Sequence, residues 1–309
     1  MAQPRTLTSP SPAMAGALLV AGAACLWGTA GVASRWIYES ETATALEIGF
    51  WRMGLAAPLL LALAAIIAPR RPVEGLRPLG LTLLMGLCLA GFQAGYFSAI
   101  AATGVAMATL LAICTIPILT ALMAWPVYGE APSARVGMAL LAAVIGMILV
   151  VSGSGGPELP GAAGLRLGLP MALAASFCFA VLTLAGRGLP AEQDPLWTTA
   201  LSLTVAAVAL AVVVMPGNWA LPPNQGPTWP ALAWIALMPT AVAYVLFYAG
   251  LRLVSSGTAG LLILAEPLTA NILAWLLHGE RLGGWGWLGA ALLLAAMGLA
   301  VSRERQGRT

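Results

Sequence analysis

The sequence predicts an all-α integral membrane protein: ten transmembrane helices arranged as two inverted five-helix repeats around a central cavity. Three observations carry that expectation. The chain is 60% hydrophobic and only 8% charged, against about 25% charged in a soluble domain. It divides into ten apolar runs, most of them long enough to cross a bilayer as a helix, which takes ~20 residues. Its second half repeats its first in register.

The composition excludes a soluble fold on physical grounds. So little charge covers only short loops, and the remaining apolar surface would far exceed the few hundred Å² that soluble monomers expose. The runs lie at 13–37, 43–68, 78–101, 106–128, 135–152, 165–187, 196–215, 229–250, 256–278 and 284–302. Turn and charge signals separate them, among them Pro69-Arg70-Arg71-Pro72, Gly129-Glu130, Gln193-Asp194-Pro195, Ser255-Ser256-Gly257 and Gly279-Glu280-Arg281. The weakest break falls at Thr103-Gly104, where two spans could be read as one. The first run is too long for the apolar core of a signal peptide, and nine more follow it.

Residues 1–12, rich in Ser, Pro and Thr, read as a disordered tail, and 303–309 as a basic cytoplasmic tail. Between them lie the two repeats, 13–152 and 163–302. All fourteen basic residues are Arg. With the N-terminus in the cytoplasm, Arg5, Arg70, Arg71, Arg77, Arg135, Arg187, Arg252, Arg303, Arg305 and Arg308 fall inside, and only Arg35, Arg166 and Arg281 outside. That asymmetry satisfies the positive-inside rule and predicts two cytoplasmic termini.

Residues 94–151 align without a gap on 244–301: Phe97 meets Phe247, Pro117 meets Pro267, Trp125 meets Trp275, and Gly129-Glu130 meets Gly279-Glu280. About a dozen positions are identical, as expected of a weak transporter repeat. Each half carries five spans, an odd number, so the halves enter the membrane in opposite directions. Inverted halves can exchange conformations and open one site to either side in turn, which points to a secondary transporter.

Several functions are excluded by what the chain lacks. Without Lys there is no Walker lysine and no Schiff base. The single His278 cannot make a multi-histidine metal site, and no metal or cofactor is expected. Cys25, Cys88, Cys114 and Cys178 lie in apolar runs and read as small buried hydrophobes. No cluster of catalytic groups, HExxH or GxSxG motif supports a membrane-embedded enzyme, and no catalytic residue is expected. A channel is disfavoured by the inverted repeat. Nothing suggests a nucleic-acid partner.

Within the spans, Pro117 and Pro267 free the carbonyls of Ile113 and Ile263, so matched kinks are expected at a cavity. Arg52 and Glu266 each lie about ten residues, roughly 15 Å, into a span. Charges at that depth need a partner or water, so these two are expected to pair with each other or to meet the substrate. Glu266 is a candidate for carrying a coupling proton. Glu47 is an alternative, imperfectly spaced partner for Arg52. Trp27, Gln93, Tyr96, Thr115, Tyr244, Tyr248 and Asn271 are the polar and aromatic candidates for lining the cavity, where together they suit a zwitterion with a partly apolar side chain. Taken singly, each also reads as helix–helix glue. Gly91 and Gly95 in the third span, and Gly286 and Gly289 in the tenth, suggest close helix packing rather than a dimer face. Trp219, Trp229, Trp285 and Trp287 suit an interfacial aromatic belt.

The string from Ser255-Ser256-Gly257 through Ala265-Glu266-Pro267 to Leu277-His278-Gly279-Glu280 resembles the signature of EamA-type members of the drug/metabolite transporter superfamily. So do Leu26-Trp27-Gly28, Phe50-Trp51-Arg52 and Leu55-Ala56-Ala57. The resemblance covers nearly the whole chain. It implies ten helices, with the first, third, fourth, sixth, eighth and ninth lining the cavity. It also implies a monomeric exporter of amino acids or related small metabolites, resident in a bacterial cytoplasmic (inner) membrane, and it leaves nucleosides, drugs and polyamines open as substrates. The chain departs from the pattern at Ile116-Pro117, where the second half has Glu266-Pro267.

Overall fold

The protein was examined as a computed structural model, which describes residues 11–40, 44–68, 73, 75–131, 133–153, 161–215, 228–278 and 283–306. Ten membrane-spanning helices run along it: α1 (Pro12–Ser40), α2 (Ala45–Ile67), α3 (Leu76–Thr103), α4 (Val105–Tyr128), α5 (Ala134–Gly153), α6 (Ala162–Arg187), α7 (Pro195–Val214), α8 (Thr228–Leu251), α9 (Ser256–Leu277) and α10 (Gly284–Gln306). The predicted fold class holds: among the described residues every element is a helix, and ten are apolar and long enough to cross a bilayer.

Local chemistry explains the ends. The weak break between α3 and α4 is real because Gly104 adopts φ +79°, a conformation that side-chain-bearing residues avoid, while its N–H still bonds the Ile100 carbonyl at 2.8 Å. Asp194 caps α7 by accepting from the Leu196 N–H at 2.7 Å, with Pro195 at the first helical position. The helix α10 continues through Ser302 to Gln306, into the stretch expected as a tail, because no Gly or Pro interrupts it before Gly307. Residues 1–10, the loop containing Trp219, and Gly279-Glu280-Arg281 lie outside the described residues, as does the His278 side chain.

The packing carries the inverted symmetry. α3 packs on α6, and the mate of that contact, α8 on α1, is also made. Likewise α4–α6 is mirrored by α9–α1, and α3–α7 by α8–α2. The pairs α5–α10 and α2–α7 are their own mates across the pseudo-two-fold axis. Lipid supplies no hydrophobic drive between helices, so close approach of small residues holds them together. Buried alanines such as Ala23, Ala56, Ala172 and Ala175 line these seams. A Cβ at Gly95 would lie 2.9 Å from the Met171 carbonyl of α6, and one at Gly289 would lie 2.4 Å from the Gly146 carbonyl of α5. These glycines therefore serve internal packing, as expected. Large side chains such as Ile66, Leu141 and Val212 face outward, where the surrounding hydrocarbon accepts them. The same solvent corrects one expectation: of the four cysteines Cys114 is buried, Cys88 and Cys178 are half-buried and Cys25 is exposed, because an apolar residue on a lipid-facing surface loses nothing.

Two helices are not continuous, and both border the centre. α8 carries a π-helical turn, Leu237–Val242, around the buried Pro239. α9 breaks at Ile263-Leu264, between Ser256–Leu262 and Ala265–His278. Of the two prolines where matched kinks were expected, Pro117 stands inside the unbroken α4 and Pro267 just after the break in α9. The difference is local. Pro267 falls in the first turn of a new half-helix, where its missing N–H would have had no helical partner.

Candidate functional site

A cavity of about 790 Å³ opens among the helices, within the roughly 300–1,000 Å³ typical of small-molecule sites. One part of its lining is Gly31 and Ser34 of α1, Thr44 and Leu46 at the start of α2, Ser98 and Ala101 of α3, and Val105 of α4. All belong to the face where α1 joins α2 and α3 joins α4. From there the cavity runs inward to Trp27, Arg52, Gln93, Tyr244 and Glu266. The six helices named by the resemblance all contribute, and α2 adds a seventh through Arg52.

The inner end is built where α1 crosses the break in α9. Gly28 makes that crossing possible: a Cβ there would lie 2.6 Å from the Glu266 carbonyl and 2.7 Å from Thr269 Cβ. Trp27, one residue earlier, is thereby set over the centre. Its ring meets Tyr244 and Phe247 with centroids 5.1 Å away, and Phe179 at 5.7 Å edge-on. Phe92 continues the aromatic wall, 4.9 Å from Phe179 and stacked on Tyr96 at 5.6 Å. Glu266 occupies the first turn of the second half-helix, where aligned backbone dipoles favour a negative charge. Arg52 reaches the same region from α2, within interaction range of both Tyr244 and Glu266.

Of the sequence candidates, the cavity brings together Trp27, Arg52, Gln93, Tyr96, Tyr244 and Glu266. It does not gather Thr115, Tyr248 and Asn271, nor Pro117 and Pro267, among its lining residues. Thr115 donates to the Leu111 carbonyl of its own helix at 2.5 Å, and Asn271 to the Pro267 carbonyl at 2.8 Å. Each thus returns a hydrogen bond to a helix backbone. Tyr248 is buried behind Tyr244, within 3.4 Å of the Ser202 hydroxyl. Pro117 meets α9 instead, at Gly260, whose hypothetical Cβ would lie 3.0 Å from it. Glu47 does not serve Arg52. Its carboxylate accepts from the Thr44 N–H at 2.7 Å and the Thr44 hydroxyl at 2.9 Å, while Thr44 accepts from the Glu47 N–H at 3.3 Å. That is a capping box, written in the sequence as Thr44-Ala45-Leu46-Glu47. Phe92 and Phe179, which also line the cavity, were missed.

At the opposite face the helix ends are tied together. At the ends of α4, α6 and α8, Glu130 and Arg187 form an ion pair. Glu130 also accepts the Ser256 backbone N–H at 3.1 Å, and Arg187 donates to the Val254 carbonyl at 3.2 Å. The Arg187 guanidinium lies 5.2 Å from the centre of the Tyr128 ring, whose hydroxyl donates to the Leu184 carbonyl at 2.6 Å. Arg252 donates to the carbonyls of Ala191 and Gln193, tying the α8–α9 turn to the α6–α7 loop.

A cavity lined by seven helices, lying between inverted halves, suits a transporter. The model of the EamA-like transporter family matches residues 14–152 and 166–302. This chain belongs to the EamA-like transporter family. Among relatives of this EamA-like chain, "Uncharacterized transporter YwfM" of Bacillus subtilis (strain 168) is 32% identical over 294 residues, covering 94% of this chain and 95% of that one. An "Uncharacterized transporter" of Archaeoglobus fulgidus is 28% identical over 223 residues, covering 70% of this chain and 75% of its own. A solved structure, titled only "Crystal structure of protein", shares the fold at TM-score 0.78 and 18% identity, over 96% of this chain and 99% of that one. This EamA-like protein is therefore a multi-pass membrane transporter, not an enzyme.

Proposed function

We propose that this transporter exports amino acids or closely related small zwitterionic metabolites across the cytoplasmic membrane, as a monomer working by alternating access. The observation that carries the reading is the inner end of the cavity, where one cation, Arg52, and one anion, Glu266, stand beside an aromatic wall. A zwitterion presents opposite charges on neighbouring atoms and matches a site with one of each. The wall of Trp27, Phe92, Phe179 and Tyr244 suits a partly apolar side chain. A strong polycation would leave Arg52 opposed by like charge, and the predominantly apolar wall offers few groups to a sugar.

The arginine distribution supports a cytoplasmic location for both termini. With that orientation the cavity faces outward, and the Glu130–Arg187 face is the cytoplasmic one. The test is uptake into proteoliposomes of labelled amino acids, nucleosides and polyamines, with and without a pH gradient. Saturable uptake of an amino acid is expected. Uptake confined to nucleosides or polyamines would overturn the substrate class.

A further inference from the structure

Three N–H groups of cavity-lining residues have no hydrogen-bond partner among the described residues: Nε1 of Trp27, Nε2 of Gln93 and Nε of Arg52. They come from three different helices, α1, α3 and α2, and all three residues line the one cavity. Trp27 and Gln93 are only 6% and 1% exposed. Buried donors in a native protein are almost always satisfied, and leaving one bare is costly. Three bare donors on separate helices, beside one space, call for an acceptor within that space.

The donor chemistry narrows what the acceptor is. Indole and guanidinium nitrogens donate and cannot accept, so neither tolerates a donor in that place. Arg52 adds a positive charge and prefers an anionic, planar oxygen group. The neighbouring carboxylate of Glu266 opposes a second negative charge, which disfavours a phosphate dianion. We infer that Trp27, Gln93 and Arg52 form a subsite for a single carboxylate. The inference rests on the reading of this cavity as the transport site and assigns one half of the substrate's chemistry. Glu266 is left to face whatever cationic part the substrate carries.

The experiment titrates detergent-solubilised protein calorimetrically with matched probes: hexanoate, hexylamine, hexyl phosphate and L-phenylalanine. Hexanoate is expected to bind and hexyl phosphate to bind about tenfold more weakly or worse, while hexylamine, which Glu266 can receive, is expected to bind independently of Trp27 and Gln93. Trp27→Phe and Gln93→Leu, each removing a donor while keeping bulk, are expected to weaken hexanoate about tenfold with the melting temperature unchanged. If either variant misfolds, the probe comparison on the unaltered protein still decides. Equal binding of hexyl phosphate, equal weakening of hexylamine and hexanoate in the two folded variants, hexanoate binding unaltered in both, or no hexanoate binding into the millimolar range would each overturn the subsite. Hexanoate binding without L-phenylalanine binding would leave the subsite standing and count against the amino-acid reading alone.

Discussion

Arg187 at the end of α6 is joined to Glu130 just beyond α4 by an ion pair on the face opposite the cavity-lining Ser34, Thr44 and Val105. The pair is only partly exposed, 27% and 19% for the two side chains, and both partners also bond the α8–α9 turn. A charge pair reinforced by backbone hydrogen bonds contributes about 1–2 kcal/mol, enough to shift a two-state equilibrium roughly tenfold. Glu130→Gln is therefore expected to populate the conformer open at this face. Spin labels at the exposed Ala131 and Ala191 should report a growing long-distance population. An unchanged distance distribution would show that the pair does not hold this face shut.

Arg52 and Glu266 permit a sharper separation of roles. If they stabilise only each other, losing either leaves a buried charge, while replacing both removes the problem. If both hold substrate, the double variant stays inactive. We expect Arg52→Gln and Glu266→Gln each to lower transport at least about tenfold, and the double variant to recover thermal stability but not transport. Recovery of transport in the double variant would make the pair structural. Should Glu266 carry the coupling proton, transport by Glu266→Gln is expected to lose its response to a pH gradient. A retained response would remove that role.

The sequence made the spans and the repeat legible because both are long-range patterns: apolar length, arginine placement and a register shared by Pro, Trp and Gly-Glu. The site was legible only in part. Trp27, Gln93 and Tyr244 stood out as polar atoms at membrane depth, but so did Tyr248 and Asn271. Nothing local distinguishes them, since helix packing decides which side of α8 or α9 meets the cavity. Asn271 is satisfied one turn back along its own helix, a solution any membrane helix offers. The role of Glu47 was readable from Thr44 three residues earlier, and was hidden by looking for a charge partner instead of a cap. The break in α9 was not readable, because Pro117 and Pro267 look alike in sequence. They differ in whether the helix has already been interrupted before the proline.

Gly28 offers a test of the crossing that places Trp27. A methyl group at this position meets the Glu266 carbonyl, Thr269 and the Ala270 nitrogen at 2.6–3.0 Å, largely rigid backbone. Gly28→Ala is expected to push α1 from α9, destabilise the protein by about 1–3 kcal/mol and weaken substrate binding. Thermal melting in detergent, followed by ligand titration, checks both. A variant with unchanged stability and affinity would show that this contact is not what positions the tryptophan.

Thr44 lies on the cavity border and caps α2. Thr44→Ala removes both bonds of the Thr44 hydroxyl, leaves the residue 44 N–H on the Glu47 carboxylate, and is expected to cost about 1 kcal/mol. Thr44→Ser keeps the oxygen and should retain most of that stability. Equal loss in the two variants, measured by thermal melting, would point to the lost methyl rather than the cap.

The repeat makes a last prediction about the other face. The family model matches from residue 14 in one half and 166 in the other, ending at 152 and 302. In the register of the starts Arg35 stands in the place of Arg187, and in the register of the ends Glu280 stands in the place of Glu130. Both side chains lie outside those described, so the argument is one of sequence symmetry. If the halves exchange roles during transport, neutralising Glu280 should act opposite to neutralising Glu130. Glu280→Gln is expected to depopulate the conformer open at the Ala131–Ala191 face, and Arg35→Gln to do the same. The double variant Glu130→Gln with Glu280→Gln should then return toward the native balance. The spin-label distances that test the first pair test this one. A shift in the same direction for Glu130→Gln and Glu280→Gln would break the symmetry argument.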